Sequence, residues 1–181
     1  MDKLPVRDLC HIAIFTTIIT LMAQISIPIP CGIPMTMQTF AVPFAGIILG
    51  AKKGALSALA YILLGAIGVP VFANFTGGIG IVFGITGGFI LSFPIMALAA
   101  GIGEDKNNKI WLIAGLIIGA IINYLCGMLW FSLFINGNLK TAFMVCILPF
   151  IPTAVIKIIL AAVLGKQIKN VLVKGKILEK K

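Results

Sequence analysis

The feature that most constrains this chain is an uncharged run from Ile110 to Ser132, 23 consecutive residues that are almost all apolar. A transmembrane helix needs about 20 such residues to cross the hydrocarbon core of a bilayer. Five further apolar segments lie at 9–27, 37–51, 54–68, 84–102 and 152–172. Proline, glycine or charged residues separate them. The sequence therefore predicts an all-α integral membrane protein with six transmembrane helices.

The overall composition agrees with this fold class. Of the 181 residues, 60% are hydrophobic and 10% are charged, and the mean hydropathy is +1.16. Six spans use most of this length, so we expect a single membrane domain over residues 1–181. The N-terminus has basic residues before an apolar run, as a signal peptide does. It lacks a small-residue cleavage pattern and is long enough to span, so we predict a retained first helix.

The distribution of charge predicts the orientation of the spans. Short cytoplasmic loops are enriched in Lys and Arg, and an even number of spans places both termini on one side. With both termini in the cytoplasm, twelve of the fourteen basic residues and all five acidic residues lie on the cytoplasmic side. Lys140 and Lys157 are the exceptions. The net charge of +9 then reflects topology and contact with the lipid bilayer. Nucleic-acid binding is not expected, because such proteins are basic without being this apolar.

The sequence lacks the usual motifs for catalysis and nucleotide binding. It contains no GxxxxGKS/T loop, and GGIGIVFG does not fit GxGxxG in a strand–helix unit. His11 has no second histidine or carboxylate at metal-ligand spacing. The predicted spans hold no acid that could couple transport to protons or sodium. We therefore expect no enzyme, no ATPase of its own, no cofactor and no metal, but a protein that binds a ligand without self-contained energy coupling.

A glycine-rich stretch, VPVFANFTGGIGIVFGITGG at 69–88, interrupts the apolar segments near the predicted outer side. Irregular backbone at membrane depth is tolerated only where protein shields it or where it lines a cavity. We therefore expect a ligand pocket with close backbone amides, flat apolar walls and a few polar contacts. The candidate residues are Phe72, Asn74, Phe75, Thr76, Gly77, Gly78 and Phe83. The alternative is an external loop whose glycines only permit tight packing.

Two further segments offer polar groups to the same cavity. After three prolines, Thr36 and Gln38 stand at a predicted helix start, where both could face a ligand and where Thr36 could equally cap the helix. Pro152 suits a helix start and would place Lys157 about a turn and a half inside the last span. An ammonium is costly in lipid, and an anionic ligand is its expected counter-charge. The alternative is a longer span from which Lys157 snorkels to the inner side.

The first apolar segment carries a pair of small residues, Ala13 and Thr17, four positions apart. Such a small-xxx-small spacing lets two helices approach closely. It predicts either packing within this chain or a stripe that faces a partner.

Four motifs, in this order, resemble the BioY family, the biotin-binding S components of energy-coupling factor (ECF) transporters. They are PMTMQTF at 34–40, GAKKG at 50–54, GAIGVPVF at 65–72 and FGITGG at 83–88. The resemblance extends over nearly the whole chain. It implies a six-helix subunit in the plasma membrane that captures biotin from the outer side and hands it inward. It also implies an ECF T component and two cytosolic ATPases as partners, with Ala13 and Thr17 meeting the T component.

Biotin would account for the mixture of residues. Its ureido ring needs polar contacts, for which Asn74, Thr76 and Gln38 are available, and its carboxylate needs a cation such as Lys157. Its thiophane ring and aliphatic tail need apolar contact. The candidates for apolar walls are Phe72, Phe75, Phe83, Tyr61, Tyr124 and Trp130.

The chain departs from the family pattern at the start of its last helix. The family typically has proline, glycine and aspartate there, with lysine three residues after the acid. This chain has PTAVIK from Pro152 to Lys157, with Ala154 at the expected acid, and Thr76 about where a basic residue often lies. Two alternatives to a biotin subunit therefore stay open. One is an S component for a different vitamin, and the other is a structural or regulatory membrane protein without a ligand.

Overall fold

The structure is a computed structural model that describes residues 5–29, 32–106, 108–175 and 177–178. Nine α-helices account for most of the described chain: α1 (Val6–Gln24), α2 (Gln38–Leu49), α3 (Ala51–Ala66), α4 (Ile79–Val82), α5 (Gly87–Leu91), α6 (Phe93–Asp105), α7 (Lys109–Ser132), α8 (Leu139–Cys146) and α9 (Ile151–Lys174). Some residues used in the sequence analysis lie outside the described residues. They are six charged residues of the predicted cytoplasmic side, Asp2, Lys3, Lys176, Glu179, Lys180 and Lys181, and one of the three prolines before Thr36, Pro30.

Four helical stretches of the described chain are long and apolar enough to cross a membrane. They are Val6–Gln24, Gly87–Asp105, Lys109–Ile135 and Leu139–Lys174. The second joins α5 to α6 through Ser92, and the fourth joins α8 to α9 through a 3-10 turn at Leu148–Phe150. The predicted spans at 37–51 and 54–68 correspond to α2, with 12 residues, and α3, with 16. Both helices are shorter than a typical span because Gly50, with φ of +83°, breaks the chain between them.

Helix α2 is the centre of the bundle. Every residue of α2 except Thr39 is buried, and the helix contacts α1, α3, α6 and α9. The adjacent helices α6 and α7 pack against each other along their length. Since α2 is surrounded by protein, its apolar side chains face other helices, whereas α1, α7 and α9 expose one apolar side. Such exposed sides suit contact with lipid.

Ion pairs define one end of the bundle, which we call the charged end. Lys53 at the start of α3 pairs with Asp8 at the start of α1. Lys169 near the end of α9 lies 3.3 Å from Glu104 near the end of α6. These contacts bring the ends of four helices together and place basic and acidic residues side by side, as the charge pattern predicts for one face of the membrane.

The opposite end, which we call the pocket end, consists of irregular and short elements. The strands β1 (Ser26–Ile27) and β2 (Met35–Thr36) pair antiparallel between α1 and α2. The glycine-rich stretch contains a small bridge between Phe72 and Thr76, a 3-10 turn at Ala73–Phe75 and the single-turn helix α4. The chain between the apolar segments at 110–132 and 152–172 is largely helical, since it includes α8.

Candidate ligand-binding site

A cavity of about 290 Å³ lies at the pocket end. This volume is close to the lower end of the range for small-molecule sites, ~300–1,000 Å³. Its walls come from five parts of the chain: the β2–α2 junction, the segment 72–76, the α4–α5–α6 region, α7 and the start of α9. The cavity is therefore formed by long-range packing of the bundle.

The polar side of the cavity centres on Lys157. Its helix, α9, starts at Ile151 with Pro152 in the first turn, so the lysine lies about a turn and a half inside, as predicted. Lys157 is 7% exposed. Its ammonium donates hydrogen bonds to the Thr36 carbonyl at 2.7 Å and to Thr39 Oγ1 at 3.0 Å. The alternative in which Lys157 snorkels to the inner side is therefore wrong, because the lysine is held among residues of the pocket end.

Lys157 has hydrogen-bond acceptors but no ion-pair partner among the described residues. Two neutral oxygen atoms already accept its hydrogen bonds. The described carboxylates, Asp8, Glu104 and Asp105, all belong to elements of the charged end. The positive charge is thus hydrogen-bonded but, within the described part of the chain, has no carboxylate beside it. A buried cation of this kind favours an anion as a further partner.

A chain of hydrogen bonds runs from the lysine into the protein. The Thr36 hydroxyl donates to Gln38 Oε1 at 2.6 Å, and Gln38 Nε2 donates to the hydroxyl of Tyr61. The backbone N–H of Gln38 also points at Thr36 Oγ1, at 3.4 Å. Thr36 lines the cavity, but it is not the cap of α2, because the N-cap position is Met37 and no side-chain cap hydrogen bond forms there. These bonds fix the positions of two cavity side chains.

Aromatic rings form the apolar side of the cavity. Phe89 of α5, Phe93 of α6, Tyr124 of α7 and Phe150 all line it. The rings of Phe89 and Tyr124 meet edge to face, with centroids 6.3 Å apart, and Tyr124 and Phe150 are also 6.3 Å apart. Such packed rings hold their geometry. The cavity thus combines a packed aromatic surface with one cation among its described lining residues.

The segment 72–76 closes another side of the cavity in a tight turn. Phe72 N–H donates to the Thr76 carbonyl at 2.9 Å, and the chain reverses through Asn74 and Phe75, with φ of 58° and 55°. Asparagine adopts this left-handed conformation readily, whereas a bulky residue such as phenylalanine rarely does. The turn therefore needs support from elsewhere in the molecule.

Seven of the predicted site residues line the cavity, and six do not. Those that line it are Lys157, Asn74, Thr76, Phe72, Gln38, Thr36 and Tyr124. Those that do not are Gly77, Gly78, Phe75, Phe83, Tyr61 and Trp130. Ligand contact by the first group stays a prediction, since proximity to a cavity is not binding.

The six residues away from the cavity have clear structural surroundings. Phe75 and Phe83 are 74% and 59% exposed, so their rings face the bundle exterior. Tyr61 is fully buried behind Gln38. Trp130 donates from Nε1 to the Gly84 carbonyl at 2.9 Å and so braces the α4–α5 turn from outside.

The two glycines of this group serve packing. Gly78 has φ of +106°, which favours glycine, but its N–H donates to the Gly65 carbonyl at 2.7 Å. A Cβ at Gly77 would lie 2.4 Å from the Val69 carbonyl oxygen. The amides of these glycines were predicted to approach a ligand closely, but neither glycine lines the cavity. The Gly78 amide holds the stretch to the end of α3, and Gly77 packs against the backbone of Val69.

Sequence reasoning missed a large part of the cavity wall. The missed lining residues are Gly32, Ile33, Pro34, Thr39, Ala73, Ile81, Ile85, Thr86, Phe89, Ile90, Phe93 and Phe150. The FGITGG motif was the sequence signal for part of this wall. Its Gly88 packs tightly on α7, where a Cβ would lie 2.4 Å from the Cys126 carbonyl oxygen. Phe89 and Ile90, the next two residues of α5, line the cavity.

The small residues of α1 lie on its outer side. Ala13 and Thr17 are exposed, and the Thr17 hydroxyl donates to the Ala13 carbonyl at 3.0 Å. No described helix of this chain covers them, so they do not pack within the described part of the chain. Contact with a partner stays a prediction.

The family of the chain follows from a comparison with known proteins. The model of the BioY family matches residues 1–174. The chain belongs to the BioY family. This confirms the resemblance carried by the four motifs, and with the four apolar helical stretches it confirms a multi-pass protein of the cell membrane.

Named members of the BioY family match almost the whole chain. A protein named probable biotin transporter BioY from Pyrococcus horikoshii is 38% identical over 91% of this chain and 97% of its own length. The biotin transporter BioY of Thermotoga maritima is 36% identical over 91% of this chain and 96% of its own. The crystal structure of the S-component for biotin from an ECF-type ABC transporter matches with a TM-score of 0.83 at 27% identity, and it covers 91% of this chain and 92% of that one. The BioY fold therefore extends over the helices that form the cavity.

Proposed function

We propose that this chain is the substrate-binding membrane subunit of a biotin uptake transporter, which captures biotin at the pocket end and delivers it inward. The single observation that carries this proposal is the position of Lys157, a buried ammonium that is the charged group among the described residues lining the cavity. The relatives named biotin transporter and the solved biotin S-component support the identity of the ligand.

The chemistry of biotin fits the two sides of the cavity. Its carboxylate would accept a hydrogen bond from Lys157, in a site where a charge-assisted bond is strong. Its ureido group, which both donates and accepts, would meet Asn74, Thr76, Thr36 and Gln38. Its thiophane ring and aliphatic tail would lie on the aromatic side, where apolar contact supplies most of the binding free energy.

The proposal includes six spans and a cytoplasmic position for both termini. Helices α2 and α3 would be the two additional short spans, because α2 is surrounded by protein and therefore needs no lipid-matched length. The charged end would be cytoplasmic, since its lysines follow the positive-inside rule. One membrane domain would extend over residues 1–181.

An S component of this kind needs partners that supply energy. We propose an ECF T component and two cytosolic ATPases, with Ala13 and Thr17 as contacts of the T component. Their exposure on α1 supports this assignment, because small residues allow a partner helix to approach closely. The chain itself would have no ATPase activity, no cofactor and no metal.

A second candidate, an S component for a different vitamin, is favoured by Ala154. This residue is half-buried and does not line the cavity, and Thr36 and Thr39 provide the oxygen atoms that hold Lys157. The ammonium of Lys157 is therefore still present, but the carboxylate that the family usually has at the position of Ala154 is missing. A ligand other than biotin is a candidate for this reason.

Equilibrium binding of vitamins to the purified chain tests these candidates. Labelled biotin should bind tightly, unlabelled biotin should compete, and thiamin and riboflavin should not. Asn74→Ala should weaken biotin binding, whereas Asn136→Ala, at another left-handed asparagine away from the cavity, should not. Competition by thiamin or riboflavin instead of biotin would establish the second candidate, and no binding of any vitamin would reject both.

A further inference from the structure

Gln24, the last residue of α1, holds the segment Val71–Thr76, which we call the pocket segment. Its Nε2 donates to the Val71 carbonyl at 3.3 Å and to the Phe72 carbonyl at 3.1 Å. Its Oε1 accepts a hydrogen bond from the Phe75 N–H at 2.9 Å. Both ends of the amide are therefore used, and exchanging them would place donor against donor.

These hydrogen bonds act where the backbone is strained. Phe75 has a left-handed φ of 55°, which a phenylalanine adopts only when its surroundings impose it. Its ring is 74% exposed, so the ring is not held by burial. The bond from the Phe75 N–H to Gln24 is thus a principal restraint on this turn, alongside the bridge from Phe72 to Thr76.

The restrained turn belongs to the cavity wall. Phe72, Ala73, Asn74 and Thr76 line the cavity, whereas Gln24 does not. Gln24 therefore touches the segment that would contact a ligand and not the ligand itself. Nε2 also lies 3.1 Å from the Thr20 carbonyl of α1, so its two hydrogens are shared among three carbonyl oxygen atoms and the side chain is held to its own helix as well.

We propose that Gln24 is a positioning residue that pins the pocket segment to α1 and thereby sets how fast bound ligand leaves the cavity. The inference rests on the proposed function, because it takes the cavity to be the vitamin site. It also gives α1 a double role. The same helix carries the exposed Ala13 and Thr17, with Gln24 about two turns beyond Thr17, so a partner that displaces α1 pulls on the wall of the pocket.

The test uses the purified full chain and three variants. Gln24→Met keeps the length of the side chain and removes its donors and its acceptor. Gln24→Glu keeps an acceptor for the Phe75 N–H but places oxygen atoms against the carbonyls of Val71 and Phe72. Gln167→Met is the matched control, since Gln167 is exposed on α9 near the charged end.

Amide hydrogen exchange without ligand is the first measurement. In Gln24→Met and Gln24→Glu, amides of residues 71–78 should exchange on the order of 10-fold faster, in line with the loss of two or three neutral hydrogen bonds. Exchange in α3 and α6 should be unchanged, which separates a local release from general destabilisation. If Gln24→Met fails to yield folded protein, Gln24→Glu carries the same comparison, because glutamate has similar helix propensity.

The rate of biotin dissociation is the second measurement. Both Gln24 variants should release labelled biotin about 10-fold faster than the wild type, with the association rate changed much less, while Gln167→Met should match the wild type. If the Gln24 variants leave amide exchange in residues 71–78 unchanged, the inference is overturned. It is also overturned if exchange becomes faster while the rate of biotin dissociation stays the same. A wild type that binds no biotin would reject the proposed function, and the exchange measurement would still decide whether Gln24 holds the segment.

Discussion

The lysines at the two ends of the bundle have different kinds of partner. At the charged end, Lys53 and Lys169 are paired with Asp8 and Glu104. At the pocket end, Lys157 is more deeply buried and is held by neutral oxygen atoms. Paired ions at the end of a bundle need no further partner, whereas a buried cation without a carboxylate favours an anionic ligand. The difference between the two ends therefore identifies the binding site better than the number of lysines does.

Replacing the buried lysine should give the largest effect. Lys157→Met keeps the apolar stem and removes the charge, so biotin affinity should fall by about 100-fold or more, because the ligand carboxylate would lose its charged partner in a desolvated site. Lys53→Met makes the same change at the charged end and should leave affinity unchanged. Isothermal titration of the two variants makes this comparison, and equal losses would show that the two ends do not differ.

Truncating an aromatic side chain of the cavity wall should give the next largest effect on biotin affinity. Phe89→Ala removes apolar contact from the cavity, and biotin affinity should fall by about 10-fold because part of the buried apolar area is lost. Phe134→Ala, on a 49% exposed side chain outside the cavity, should have no effect. The same binding assay measures both. A loss with Phe134→Ala alone would place the ligand elsewhere.

Breaking an ion pair at the charged end should affect stability slightly. Lys53 and Asp8 have 33% and 16% of their side chains exposed, so solvent screens their attraction. Lys53→Met should lower the free energy of unfolding by about 1 kcal/mol or less. Thermal unfolding in detergent measures this change. If Lys53→Met destabilises the protein as much as a cavity-forming mutation in the core does, the charged end is not only a solvated ionic surface.

Salt should affect the two ends of the bundle differently, and this is the smallest of the expected effects. Raising the ionic strength from 0.1 to 1 M shortens the Debye length from about 10 Å to about 3 Å. The partly exposed pair of Lys53 and Asp8 should then contribute less to stability, while biotin binding at the buried Lys157 should weaken by less than about 3-fold. Titrations at both salt concentrations test this, and a steep salt dependence of biotin binding would indicate an exposed cation.

The sequence predicted the polar side of the site well and the apolar side poorly. Lys157, Thr36 and Gln38 were found because polar residues are rare in such a chain and therefore conspicuous. Phe75 and Phe83 were expected inside and lie outside, because lipid accepts exposed aromatic rings and hydrophobicity does not separate the interior from the surface of a membrane protein.

The remaining misses depend on long-range packing. Phe89 lines the cavity from α5, whose Gly88 packs closely on α7; the FGITGG motif marks this glycine, but no local pattern gives its partner. Gln24 lies 47 to 51 positions before its partners in the pocket segment. The sequence predicted short apolar segments at 37–51 and 54–68, and the structure has short helices there, α2 with 12 residues and α3 with 16, separated by the break at Gly50.

The most direct test of the central claim compares biotin with biotinol, in which a neutral hydroxyl replaces the carboxylate, in the wild type and in Lys157→Met. If the buried ammonium receives the carboxylate, the wild type should prefer biotin by about 100-fold, and Lys157→Met should lose most of this preference. A preference for biotin that is the same in both proteins would contradict the account, because the carboxylate would then be recognised by some other group.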